Sequence, residues 1–124
     1  MHGDGIVPIG CDSALVEYNL MRRCSRLLPL GEAAAGIWPW SCDNTTIQFN
    51  EVSDHKAPWD GQGFDSDFNC TNTLIQYNYS HGNEGGFILI CHPGNSNPAD
   101  NIGNLGRKTI VNIPLFQTSF VSSS

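Results

Sequence analysis

At 124 residues the chain has room for one domain. Hydrophobic residues make up 40% and charged residues 15%, enough apolar material for a core, while 13 glycines and 7 prolines are too many breakers for a long helical bundle. A net charge of −6 with six basic residues argues against a nucleic-acid partner, and no apolar run approaches the length of a membrane span.

Taken from the start, Met1-His2-Gly3-Asp4-Gly5 lacks the basic and apolar stretches of a secretory signal. A repeat begins at once. Gly5-Ile6 leads to Cys11, Gly36-Ile37 to Cys42, Gly63-Phe64 to Cys70, and Gly86-Phe87 to Cys91. After the first three cysteines come Val16-Glu17-Tyr18-Asn19, Ile47-Gln48-Phe49-Asn50 and Ile75-Gln76-Tyr77-Asn78, so the interval from Cys to the final Asn is eight residues each time. Measured at the apolar residue after Gly, the copies are 31, 27 and 23 residues apart. Short runs such as Ile75-Gln76-Tyr77 alternate apolar and polar, the strand period. Insertions at 20–35 and 55–62 absorb the variable period, and 14–28 has room for a helical turn or two. Short strands separated by Gly, Asn and Asp describe stacked coils of strands, not a helical repeat.

With these motifs in hand, the chain resembles the right-handed parallel β-helix proteins of the pectate-lyase-like superfamily. The resemblance covers residues 3 to 95 and is most typical over 72–80 and Asn83-Glu84-Gly85-Gly86-Phe87. It implies an all-β solenoid of about three to four coils without obvious end caps, with coils over 1–106 and a non-repeat tail over 107–124. Equivalent residues of successive coils then stack about 4.8 Å apart. Ile6, Ile37, Phe64 and Phe87 form one internal stack, Val16, Ile47 and Ile75 a second, and Tyr18, Phe49 and Tyr77 an aromatic third. Asn19, Asn50 and Asn78 form a ladder whose amides bond the next coil's backbone. Cys11, Cys42, Cys70 and Cys91 form a column of inert core thiols, with disulfides or metal ligation as the alternative.

Alternation sets Val7 and Ile9, Trp38 and Trp40, Asp65 and Asp67, and Ile88 and Ile90 on an outward face, so two Trp lie beside two Asp of the next coil. Exposed rings beside carboxylates suit a sugar groove, because a ring stacks on a pyranose face while carboxylates take hydroxyls or perform acid/base work. Asp54, Asp60, Asp65 and Asp67 form a dense acidic run, with Glu84 one coil on. The Cα atoms of Asp65 and Asp67 should lie roughly 6.5 Å apart on a strand, compatible with a glycosidase carboxylate pair. Candidate catalytic residues are therefore Asp65, Asp67 and Glu84, and candidate sugar contacts are Trp38, Trp40 and His81. Lys56 is the candidate base of a lyase alternative. The acidic run leaves calcium open as a cofactor, though no metal ligand set is assigned. Compared with the polygalacturonase branch of the resembling family, Gln62-Gly63-Phe64-Asp65 carries Gln where that branch has its leading Asp, and Glu84 stands alone where a pair belongs.

The resemblance thus implies part of a secreted or cell-surface polysaccharide-degrading protein, a glycoside hydrolase or lyase. The alternative is a non-catalytic carbohydrate-binding or structural β-helix. The expected partner is a polysaccharide, with no nucleic acid or membrane, and open coil ends allow self-association.

Overall fold

The computed structural model describes residues 3–24, 28–91, 110–112 and 121–123. Among them there is no helix; where the sequence left room for a helical turn, two strands form instead, β1 (Leu15–Glu17) and β2 (Leu20–Arg22). The remaining strands are β3 (Ala33–Ala34), β4 (Thr46–Gln48), β5 (Glu51–Ser53), β6 (Trp59–Asp60), β7 (Phe64–Ser66), β8 (Leu74–Gln76), β9 (Tyr79–His81), β10 (Ile88–Ile90), β11 (Ile110–Asn112) and β12 (Val121–Ser123). Every pairing between them is parallel, in sheets ordered β1-β4-β8-β11, β12-β10-β7, β2-β5-β9 and β3-β6. The chain is all-β. It visits the sheets in turn and returns to each one repeat later.

The spacing of the sequence repeat sets the register. Val16 pairs with Ile47 and Ile47 with Ile75, and all three are buried. Ile6 bridges Ile37 and Ile37 bridges Phe64. With Val52, Phe87 and Ile88 these side chains form the core, each contributing about 1.5–3 kcal/mol by leaving water. Such close stacking needs Gly36, where a Cβ would sit 2.3 Å from the Gly63 carbonyl oxygen. The asparagine ladder forms as the residues dictate. Asn50 Oδ1 accepts from the Asn19 backbone N–H at 3.1 Å and from Asn19 Nδ2 at 2.9 Å, and Asn78 Oδ1 serves Asn50 in the same way at 2.9 and 3.0 Å. Asn83, outside the expected ladder, repeats the device by accepting from the His55 N–H and donating to the Val52 carbonyl.

Three expectations need correction. Tyr18, Phe49 and Tyr77 do stack, with centroids 5.3 and 5.5 Å apart and planes within 13° and 8°, but the stack lies outside, with all three rings exposed. The cause is the backbone: all three have φ between 52° and 56°, a left-handed corner that swings the side chain outward. Ring stacking, about 0.5–1.5 kcal/mol per pair, offsets the strain. The fourth copy is also displaced by one residue. Ile88, not Phe87, is the register partner of Phe64, so Ile88 is buried rather than outward, while the Phe64 and Phe87 rings meet edge-on at 5.6 Å. Cys91 also leaves the cysteine column, because it follows Ile88 by three residues where Cys70 follows Phe64 by six, and its N–H donates to the Ser66 carbonyl.

The five cysteines are free thiols, Cys11 half-buried and the other four buried. Cys42 Sγ accepts from the Cys11 N–H at 3.4 Å, and Cys70 Sγ donates to the Pro39 carbonyl at 3.3 Å. Burial pushes the Cys70 thiol up to about 11, which suppresses thiolate formation. A thiol-reactive dye at pH 8 should therefore label Cys11 first and the buried four only after denaturation; fast labelling of Cys42 or Cys70 in the folded chain would contradict this packing.

Candidate functional site

One local irregularity builds the site. Ile37 bridges Phe64, 27 residues on, whereas Asp43 bridges Thr71, 28 residues on. The third coil therefore carries one extra residue in between, and Asp65 and Asp67 occupy that stretch. Extra residues of this kind re-aim side chains next to sites. Asp65, Asp67 and Trp38 together line a recess of about 140 Å³. Its other lining residues are Asp4, Asp60 and the run Ala33, Ala34 and Ala35. Four carboxyl groups thus share one small space, and among the described residues no cation lines it.

Asp65 was expected to face outward, but it is buried, with 2% of its surface exposed. Leu89 is its register partner on β10, so it faces apolar material on that side. Burial, then the charges of Asp67 and Asp60, push its carboxyl up to about 9, leaving it protonated at neutral pH. Asp67 is half-buried and Asp60 exposed. Both carboxyls are also raised, mainly by burial of the groups, with the Asp4 charge adding to each. Asp60 carries a second mark: its φ is 65°, a left-handed conformation that its register partner Ala34 does not share.

Asp4 and Trp38 are linked directly. One oxygen of Asp4 accepts from the Trp38 indole N–H and from the Ala35 backbone N–H, each at 3.0 Å. Trp40, 40% exposed, sits edge-on to Trp38 at 6.1 Å and to Phe68 at 5.9 Å, extending the aromatic wall.

The remaining sequence candidates lie elsewhere. Glu84 is exposed and pairs with Lys56 at 3.7 Å, outside the recess lining. His81 lies on β9, outside the recess lining, stacked on Tyr79 at 4.5 Å and bonded to Glu51 at 3.0 Å. His55 is fully buried, with Nε2 against the Ala34 carbonyl at 2.9 Å, which ties β3 to the turn after β5. His92 falls outside the described residues. A separate open trough of about 410 Å³ runs along the Tyr18, Phe49 and Tyr77 rings, edged by Tyr79 and Glu51.

For metals, Asp65, Asp67 and Cys91 bring one donor atom each within 4.8 Å of one another. Two carboxylates and a thiol do not fit calcium, which takes six to eight oxygens. The Cys91 thiol is moreover pushed strongly upward by burial and by Asp65 and Asp67, so it resists the deprotonation that softer metals require.

Sequence reasoning passed over Asp4 and the alanine wall. The available signal was positional: Asp4 directly precedes the repeat's glycine, as Ala35 and Gln62 do, and so shares their column.

No protein-family model matches the chain. The chain is 32% identical over 128 residues to the lacto-N-biosidase of Bifidobacterium longum subsp. longum, an alignment that covers 90% of this chain. The chain spans about 8% of the length of that relative.

Proposed function

We propose that the chain is a stretch of a right-handed parallel β-helix in a secreted or cell-surface carbohydrate-active protein, and that the recess beside Trp38 is where it meets a glycosidic bond. In-register parallel pairing repeated sheet by sheet supports the β-helix. Similarity to a protein named as a glycosidase supports the substrate class. The observation that carries the reading is the gathering of Asp60, Asp65 and Asp67 around one recess with an aromatic ring in its wall.

Exposure assigns the roles. A residue with 2% of its surface exposed does not present its carboxyl to a glycosidic oxygen, so Asp65 stands behind the chemistry. Asp67 and Asp60 are the accessible acids. Because Asp67 is the more buried of the two and lies next to Asp65, we assign it as the proton donor, with Asp60, on the open side, as its ionised partner. The reaction needs one protonated and one ionised carboxyl at once, and burial graded across neighbours supplies that difference. In this reading Asp67 retains the catalytic role expected of it, Asp65 does not, Asp60 is added, and Glu84 is exposed outside the recess lining. With four carboxyls and no cation in the recess, a neutral sugar is accepted more readily than a uronate, which also favours hydrolysis over the lyase alternative.

The test is turnover across a panel of neutral and acidic oligosaccharides. Asp67→Asn and Asp60→Asn should each lose about 10²–10⁴-fold in kcat while remaining folded, and Trp38→Ala should raise KM. Undiminished turnover in both Asp variants would sink the assignment. Binding without turnover in the parent, lost in Trp38→Ala, would favour the non-catalytic carbohydrate-binding alternative.

A further inference from the structure

We propose that Asp4 is a positioning residue of the recess, holding the Trp38 ring and the Ala35 backbone in one fixed relation so that the ring is pre-set for a sugar. The inference rests on the carbohydrate reading for its purpose, but its geometry stands apart from it.

Trp has a single polar donor, its indole N–H. In Trp38 that donor is spent on Asp4, a residue of the preceding coil, 34 positions earlier. The same carboxylate oxygen takes the Ala35 N–H. Hydrogen bonds to an ionised acceptor are the stronger kind, and two of them converging on one oxygen fix the ring's position against a wall residue. Asp4 itself is held. The N–H groups of the next two residues, Gly5 and Ile6, both donate to the Gly36 carbonyl at 3.1 and 3.0 Å. A Cβ at Gly5 would collide with the Met21 side chain and lie 2.6 Å from the Gly36 carbonyl oxygen. The carboxylate therefore projects from a backbone with little freedom to shift.

If Asp4 merely fastened one coil to the next, the Ala35 bond would suffice. The indole bond has another effect. Trp38 is only half-buried, and its neighbour Trp40 touches it by an edge, which leaves the ring room to turn. With the donor satisfied by Asp4, a sugar entering the recess meets a ring already in place and need not order it, the usual gain of preorganisation.

The test reads the Trp38 indole proton by NMR and the affinity for a neutral oligosaccharide by calorimetry. In the parent, the Trp38 indole proton should exchange with solvent far more slowly than that of Trp59, which is 65% exposed. Asp4→Ala should keep the fold, lose that protection and bind about tenfold more weakly, the loss expected for one hydrogen bond to a charged group. Asp4→Asn, which retains an acceptor, should recover part of both. In a Trp38→Phe background, which has no indole donor, Asp4→Ala should change affinity by less than about twofold, since the two residues act as one unit. A Trp38 indole as fast-exchanging as Trp59 in the parent would overturn the proposal without any variant. So would an equal loss of affinity on Asp4→Ala with and without the Trp38 indole. A parent that binds no sugar but protects the indole would remove the carbohydrate reading and keep Asp4 as the anchor of the ring.

Discussion

At pH 7 the Asp65→Asn variant is expected to be more stable than the parent, by on the order of 3 kcal/mol. The sign follows from the direction of the shift. In the folded chain the Asp65 carboxyl is raised from 3.8 to about 9, chiefly by burial. Below pH 4 folded and unfolded chains both hold the proton, and the parent has its full stability. Between pH 4 and 9 the unfolded chain releases a proton that the folded chain retains, so the parent loses stability as pH rises at up to about 1.36 kcal/mol per unit. An amide at this position has no charge to desolvate and escapes that loss. Denaturant unfolding of both chains at pH 3.5 and 7 checks the point. The curves should lie within about 1 kcal/mol at the lower pH and separate at the higher. Equal midpoints at both pH values would mean that Asp65 is solvated or paired. Asp60 and Asp67 shift in the same direction, so the variant keeps a gentler slope of its own. An acid retained at the expense of stability is what a functional site is expected to carry.

The second large effect lies in the scaffold. Asn50→Ala should destabilise the chain by about 3–5 kcal/mol, since it strips partners from several buried groups at once. The side chain accepts from the Asn19 backbone N–H and donates to the Val16 and Gln48 carbonyls and to Asn78 Oδ1. No water reaches a residue 2% exposed to take its place. Asn72→Gly is the matched control. Asn72 is exposed, donates from its side-chain amide to Asn44 Oδ1 at 3.0 Å, and has φ of 56°, which glycine adopts without strain. That change should stay within about 1 kcal/mol. Similar losses in the two variants, measured by thermal or denaturant unfolding, would show that the ladder does not carry the stack.

The parts of the fold that were legible in the sequence are those where one side chain dictates its own environment. A constant eight-residue interval from Cys to Asn can persist only if equivalent positions are stacked, and Val16, Ile47 and Ile75 pair as that interval requires. An asparagine that recurs at a turn has little choice but to bond across coils. Less visible were features set by backbone dihedrals. Tyr18, Phe49 and Tyr77 read as core by residue type, yet their left-handed φ values turn them to solvent. The extra residue between Phe64 and Phe68 was visible as a change of period, but not its consequence. Asp65 is buried and Asp67 half-buried, where alternation alone sets both side by side on an open face. The acidic run is thus divided: Asp60, Asp65 and Asp67 line one recess, while Asp54 and Glu84 are exposed outside its lining. Asp4 was hidden because its partners, Ala35 and the Trp38 indole, lie a full coil away.

The central claim is that the recess among Asp60, Asp65, Asp67 and Trp38 receives a sugar. Backbone and indole amide shifts recorded while a neutral oligosaccharide is added would test it most directly. The account expects changes confined to Ala33, Ala34, Ala35, the Trp38 indole, Asp60 and Asp67. Changes centred on Tyr18, Phe49 and Tyr77, with the recess silent at saturating sugar, would place the binding surface on the outer aromatic stack and contradict it.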